Sequence, residues 1–544
     1  MDTSLGSQDT RTGTSSPSSG WSTVKLPTAV GTEVTESRPS SSPVESPAND
    51  SKPSENIPFH ILHKKQKWLL VYLVSLAAMF SPLSSNIYFP AIDTIATDLH
   101  TNTSLVALTV TVYMVVQGIA PSFWGPWSDL YGRRVIFIST VAVYVAANLA
   151  LAFTVNYPML LVLRGVQAAG SAATISIGTG VISDIAEPSE RGGFVGTNSG
   201  IRMIGQALGP VLGGILNGIW GFRSIFWFLF ALSVLVMAIL LACLPETHRQ
   251  IAGNGSIPLQ GVHKPFMYWL IPTPKEWTGN PAPPAARKPS SASFKSVLTP
   301  FKQLLEKDIL ALLAWGALVY AVWSMVTSST TTVLKREFPS LTDVELGLCF
   351  LPNGFGCVLG SILTGKLMDH NFRIVEKHYR RKYQIPDDVK IKGDQCFPYE
   401  RARLSPMPYL SGVFITVTAL YGASYELNDV NRKAVANLII SLVLQFMVAF
   451  TATAIFSINS AMMVDCFPSK GAGATAVNNL ARCSLGAVGV SVVQPMINAI
   501  RIRNTFVILA AIVALCSPLV WVEWRWGEKW RTDREKRKEK SMEL

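Results

Sequence analysis

Charge is scarce in this 544-residue chain: Asp, Glu, Lys and Arg together make up 15% of it, against about 25% in soluble globular domains. Apolar residues account for 49%, and the mean hydropathy is +0.30. A soluble enzyme with a charged surface is excluded by this balance. Acidic groups are rarest where the chain is most apolar, because none of its long apolar runs has a central Asp or Glu. The seven cysteines, Cys243, Cys349, Cys357, Cys396, Cys466, Cys483 and Cys516, show no paired metal-ligand spacing, so neither a disulfide framework nor a metal site is expected. No P-loop and no Cys/His/Asp constellation occurs. The expectation is therefore no cofactor and no enzymatic activity. The start of the chain also lacks the short basic-then-apolar pattern of a cleaved signal.

What is present is a series of apolar runs of about 20 residues, the length that crosses a bilayer. They fall near 68–90, 104–123, 135–154, 158–181, 194–216, 223–244, 309–331, 344–367, 407–425, 435–459, 473–497 and 504–523. The fold class expected is an all-α membrane protein with twelve transmembrane helices. Residues 1–58, rich in Ser, Thr and Pro, predict a disordered tail. His63, Lys64, Lys65 and Lys67 precede the first run, and the loop after it has no Lys or Arg. By the positive-inside rule both termini are cytosolic. The net charge of +12 is then mostly a topology signal, with lipid bilayer and not nucleic acid as the expected partner. Sequons at Asn49 and Asn254 fall inside, and one at Asn102 falls in the first outer loop.

The fifth run breaks the apolar rule. Asn198, Arg202 and Gln206 recur every four residues and form one polar stripe on a helix. Gly205, Gly209 and Gly213, with Pro210 beside them, form a neighbouring face where another helix can come close. An arginine near mid-bilayer costs about 2.5–3.5 kcal/mol on insertion scales. It is tolerated where it meets water, a ligand or a partner helix, which makes Arg202 a candidate substrate group with interhelical hydrogen bonding as the competing role.

Three matched pairs reveal an internal repeat. Gly125, Asp129 and Arg133 after the second run reappear in spacing as Gly365, Asp369 and Arg373 after the eighth. Arg164 precedes Asp184 by 20 residues, as Gln445 precedes Asp465. Asn198 and Arg202 in the fifth run correspond to Asn478 and Arg482 in the eleventh. Two pseudo-symmetric halves of six helices follow, spanning 59–245 and 309–523, with a central cytosolic loop at 246–308, a long loop at 366–405 and a basic tail at 524–544. In GPWSDLYGRR, Gly125 permits a close helix approach, and Asp129 with Arg133 can latch the halves in one state and release in the other.

GPWSDLYGRR, LRGVQAAG with Arg164, and GQALGPVLGG resemble the signature motifs of the major facilitator superfamily, specifically its twelve-span drug:proton antiporter branch. The likeness covers about residues 60–530. SPLSSNIYFPA at 81–91, VWSMVTSSTT at 322–331 and ATAVNNLARC at 474–483 are most similar to the citrate exporters of filamentous fungi. The resemblance implies the major facilitator fold, transport of a small molecule by alternating access, proton coupling with Arg164 at the position associated with it, and residence in the plasma membrane.

Independently of that likeness, Arg202 and Arg482 sit at equivalent depths in the two halves. Two guanidinium groups facing one cavity repel unless an anion lies between them, and a carboxylate accepts bidentate hydrogen bonds from each. Gln206, Asn198 and Asn478 share their helical faces, and Asn86, Tyr113, Gln117, Ser328 and Asn353 are further polar candidates for the lining. The expected partner is a small carboxylate, handled by a monomer. Efflux of neutral or cationic drugs is the competing function, and a membrane sensor or enzyme the third. With no central carboxylate, a proton can ride on the substrate itself, or the anion can leave without a counter-ion; the residues leave both open.

Overall fold

The computed structural model describes residues 60–187, 190–255, 257, 259–267, 306–384, 386, 397–425, 434–466 and 471–543. The expected N-terminal tail and the Pro-rich stretch of the central loop lie outside these residues. Among the described residues the secondary structure is entirely helical. Eleven helical segments are long and apolar enough to cross a membrane. The segment that falls short by composition is Arg191–Trp220, a helix of 30 residues. It has the length to span, but Asn198, Arg202, Gln206 and its many glycines dilute its hydropathy. With it, the observed helices match the twelve expected runs.

Counting it as the fifth, the first span (Lys64–Asp98) packs on the fourth (Tyr157–Ile185) and fifth, the second (Thr103–Tyr131) on the fourth, and the third (Arg133–Ala152) on the sixth (Arg223–Cys243). The second half repeats this order. The seventh (Lys307–Glu337) packs on the eleventh (Gly471–Ile500), the eighth (Asp343–Tyr383) on the tenth (Ala434–Cys466), and the ninth (Tyr399–Ser424) on the last (Ile502–Arg534). Each half has its own apolar core. Large apolar side chains that no helix covers, such as Val162, Leu235, Ile439 and Val443, are exposed. Those residues form the surface that meets lipid acyl chains.

The halves meet along two seams, the second span against the eleventh and the fifth against the eighth. The pairs exchange when the halves are exchanged, as a two-fold axis along the membrane normal requires. Close approach at the second seam depends on missing side chains. A Cβ on Gly214 would lie 2.7 Å from the Gly347 Cα, and one on Gly347 would lie 2.9 Å from the Pro210 carbonyl oxygen. The stripe of Gly205, Gly209 and Gly213 serves a different contact, lying against Met79, Asn86 and Ile87 of the first span within the same half. There the first span is interrupted between Phe80–Asn86 and the 3-10 turn Phe89–Ala91, where Pro82 and Pro90 each withhold an amide from the helical ladder.

Two segments expected as loop or tail are helical. The eighth span continues as one helix, Leu351–Tyr383, because Lys366–Tyr383 contains neither Gly nor Pro and carries the i,i+4 pair Glu376–Arg380 at 2.9 Å. Beyond the last apolar run the chain runs on as Pro518–Glu543. That helix is anchored where Arg531 donates to both Glu400 carboxylate oxygens at 2.8 and 3.2 Å and to the Phe397 carbonyl.

Candidate functional site

Between the halves lies a partly open cavity. Arg202 and Gln206 of the fifth span line it, as do Arg482 of the eleventh, Gln117 of the second and Asn86 of the first. No Asp or Glu is among the lining residues. The two arginines that the repeat matches thus face one space with no protein carboxylate to neutralise them.

They are held differently. Arg482 lies between two rings, 4.6 Å from the Tyr320 centroid and 4.8 Å from that of Phe456, and it donates to the Asn479 Oδ1 at 2.6 Å. Stacking keeps its planar fork in one orientation. No hydrogen bond or ion pair is found for Arg202 among the described residues. A cation that is already paired has less to offer an incoming anion, so the unpaired Arg202 is the stronger attractor and Arg482 the better oriented one. Gln206 is in loose contact with the Cys357 sulfur at 3.7 Å, which leaves its amide available to substrate oxygens.

The structure does not bring every candidate into the cavity. Asn198 is buried one turn away and its Oδ1 has no partner, while Asn478 donates to Ser460 at 3.2 Å. Tyr113 bonds Ser171 and the Ser81 carbonyl within the first half, Ser328 bonds the Met325 carbonyl, and Asn353 accepts from the Trp323 indole at 3.0 Å. Tyr320, Trp323, Ser324 and Thr327 of the seventh span also line the cavity. Sequence reasoning did not single them out, and the signal available was their i, i+3, i+4, i+7 spacing, which places them on one helical face.

Arg164 lies outside the cavity, fully buried in the first half. Its guanidinium is stacked 4.2 Å from the Tyr88 ring and 4.5 Å from that of Tyr113, and it donates to Gln167 and to the Ser84 carbonyl. Among the described residues, two of its nitrogens have no hydrogen-bond partner and no carboxylate pairs with it. It ties the fourth span to the first across the same turns that border the cavity.

At the end of the bundle that carries GPWSDLYGRR, Arg133 pairs with Asp129 at 2.6 Å and with Asp184 at 3.0 Å. The Asp129 side chain is 60% exposed and that of Asp184 only 13%, so Asp184 is the firmer anchor. Glu246 closes the cluster by accepting from the backbone amides of Arg133 and Arg134 at the start of the third span. Gly132, at φ +99°, makes room for it, since a Cβ there would run into that carboxylate. These contacts lie within the first half and the start of the central loop that follows it. Among the described residues nothing lies within 4 Å of the position a Cβ would take on Gly125 or Gly365, so no close approach is made at Gly125 by the described residues. In the second half the equivalent ion pair is Arg403 with Asp465 at 2.8 Å. Asp369 and Arg373, matched by spacing, lie on the unbroken helix of the eighth span without an ion pair among the described residues. The repeat is therefore displaced in sequence: the arginine that meets the acid at the end of the fourth or tenth span comes from the head of the third or ninth.

Interhalf polar contacts sit at the cavity or beyond it. Asn479 donates to the Gln117 carbonyl at 2.9 Å and Thr331 to the Phe89 carbonyl at 3.2 Å. Asn217 donates to Asp343 at 3.0 Å, and Lys335 lies 3.9 Å from Asp93.

Comparison with known proteins agrees with this architecture. Residues 74–382 match the Major Facilitator Superfamily. The chain belongs to that superfamily. This major facilitator is 48% identical over 490 residues to "Citrate exporter 1" of Aspergillus niger, covering 90% of this chain and 91% of the relative. It is 31% identical to "MFS antiporter QDR2" of Candida albicans, covering 85% and 89%, and 31% identical to "Multidrug transporter AQR1" of Candida glabrata, covering 89% and 81%. The chain is a multi-pass membrane transporter and not an enzyme.

Proposed function

We propose that this major facilitator exports a small organic anion with at least two carboxylates, citrate or a related di- or tricarboxylate, from the cytosol across the plasma membrane. The observation that carries the reading is the convergence of Arg202 and Arg482 on one cavity without a protein carboxylate. A drug pump for cations would be served by an acidic lining, which is the reverse. The 48% identical citrate exporter supports the same substrate class.

With both termini in the cytosol, the end bearing Asp93 and Asp343 is external. The interhalf contacts then describe a carrier closed to the outside, with its cavity offered to the cytosolic anion. Gln206 and the two arginines take the carboxylates, and re-pairing of the halves at the Gly125 and Gly365 end accompanies release. Export gains about 2.3 kcal/mol per charge per 100 mV from an inside-negative potential, so a trivalent anion needs no further driving force. A proton that takes part in the cycle rides on the substrate carboxyls or on a group away from the cavity, since no Asp or Glu lines it.

The test is secretion in a host that lacks its own exporter. Extracellular citrate, isocitrate, malate and itaconate are measured beside resistance to cationic drugs. Acid secretion at unchanged drug resistance is the expected result. Resistance without acid secretion would transfer the cavity to drug efflux, the activity named for the 31% identical relatives.

A further inference from the structure

At the level of the cavity the halves are joined through a carbonyl that its own helix leaves open. The second span runs as one helix over Thr103–Tyr131 with Pro121 inside it. A proline has no N–H, and within a helix its ring presses on the carbonyl four residues back. That carbonyl belongs to Gln117, and the Asn479 amide of the eleventh span donates to it at 2.9 Å. Gly118 lets the two helices come this close, since a Cβ there would lie 3.1 Å from the Cys483 Cβ. The second half thus supplies the donor that the backbone of the second span lacks.

The same amide is tied to a cavity arginine. Its Oδ1 accepts from Arg482 Nη2 at 2.6 Å, so it fits only one way round, with nitrogen to the carbonyl and oxygen to the guanidinium. Tyr320 and Phe456 fix the plane of that guanidinium, but stacked rings leave it free to turn within the plane. The bond to Asn479 stops the turn. Asn479 is not among the described residues that line the cavity, and it is anchored from the opposite half. Towards the end that bears Asp93 and Asp343 the seam continues, where a Cβ on Gly486 would lie 2.6 Å from the Met114 Cε. Towards the other end the second span has left the seam by Gly125, so the Asn479 bond belongs to the joined part.

We propose that Asn479 is a positioning residue: bonded to the Gln117 carbonyl that Pro121 leaves open, it sets the Arg482 fork, so that substrate affinity depends on whether the second and eleventh spans are together. The proposal rests on the anion reading for the identity of the ligand, though not for the bond itself. When the halves part at the end bearing Asp93 and Asp343, Asn479 loses its anchor, Arg482 turns between its rings and the anion is held less well. Affinity thereby falls in the state from which the anion leaves. By linkage the bound anion favours the joined seam by the same factor.

Two variants break the bond from opposite sides. Pro121→Ala returns an N–H to the Gln117 carbonyl and lets it turn back along the helix axis, without touching the cavity or the eleventh span, while Asn479→Ala removes the amide. Citrate exchange is measured with the purified full chain in proteoliposomes. Asn479→Ala should raise KM about tenfold, or about 1.4 kcal/mol, the scale of one hydrogen bond, with kcat and thermal stability little changed. Pro121→Ala should raise KM several-fold, and the double variant should match Asn479→Ala because both changes act on one bond. Spin labels at the exposed positions Asn102 and Asn498, on the second half of the seam and its partner span, read the contact without substrate. Their short-distance population should fall several-fold in either variant. Wild-type KM in a folded, monodisperse Asn479→Ala, additive effects in the double variant, or label distances unchanged in both variants would each overturn the proposal. A wild-type protein that exchanges no citrate would instead overturn the anion reading, and the label shift in the two variants would still support the bond as the coupling contact.

Discussion

Arg482→Lys is expected to reduce acid export at least tenfold while the protein reaches the membrane at its normal level. The substitution keeps the charge, yet the side chain loses the planar fork that lies between Tyr320 and Phe456 and with it the two parallel donors a carboxylate accepts. Arg202→Lys should be milder, because Arg202 is not stacked and acts more as a source of charge. Arg202→Gln and Arg482→Gln should both remove nearly all export. Hydrogen bonds to charged groups contribute about 1.5–3 kcal/mol each, so loss of two per carboxylate exceeds a hundredfold at about 1.4 kcal/mol per decade. Surface level by a fused fluorophore and extracellular citrate by enzymatic assay decide the order. Equal effects of the two lysine substitutions would show that the aromatic clamp around Arg482 does not shape recognition.

The second large effect is expected at the seam between the fifth and eighth spans. In Gly347→Leu the added side chain points at the Gly214 Cα and the Pro210 carbonyl oxygen, both 2.9 Å from the new Cβ. Backbone cannot yield as a flexible side chain does, and overpacking of this kind costs about 1–3 kcal/mol or more. The cost falls on the state in which the halves touch at the outer end, not on either half alone. Export should therefore drop by one to two decades with little change in thermal stability of the purified protein, and the distance between spin labels at the exposed positions Asn102 and Ser340, one on each half, should lengthen. Gly209→Leu makes the informative contrast. Its Cβ meets Asn86 and Ile87 of the first span inside one half, so that change should lower thermal stability as well as export. Wild-type export by Gly347→Leu would mean that the seam opens and closes elsewhere.

Much of this architecture was legible in the chain itself, for physical reasons. Twenty apolar residues in a row have few alternatives to a membrane span, and a four-residue recurrence of Asn198, Arg202 and Gln206 projects a stripe whatever the tertiary structure does. Matching Arg202 to Arg482 needed only the repeat. The same spacing logic paired Arg133 with Arg373, and there it was insufficient: the acid Asp465 is met by Arg403 from the other side of a loop, and loop length is free to vary between repeats. Contacts between distant residues left no local signal. The clamp of Tyr320 and Phe456, the approach of Gly214 to Gly347 and the bond from Asn217 to Asp343 each join spans far apart in sequence, and no periodicity announces a partner on another helix. The terminal helix escaped for another reason. Its charged composition reads as a solvated tail, and the acceptors that bury Arg531, the Glu400 carboxylate and the Phe397 carbonyl, lie far from it in sequence.

The central claim is that the cavity selects polyanions, and counterflow in proteoliposomes tests it without assumptions about driving force. Vesicles containing purified protein are loaded with unlabelled citrate and diluted into labelled citrate, with competitors outside. The account predicts rapid exchange in the wild-type protein, inhibition by tricarboxylates and dicarboxylates but not by a cationic drug such as quinidine, and no exchange above background in Arg202→Gln or Arg482→Gln. Citrate exchange that persists in both arginine variants, or exchange driven by the cation and indifferent to carboxylates, would contradict it.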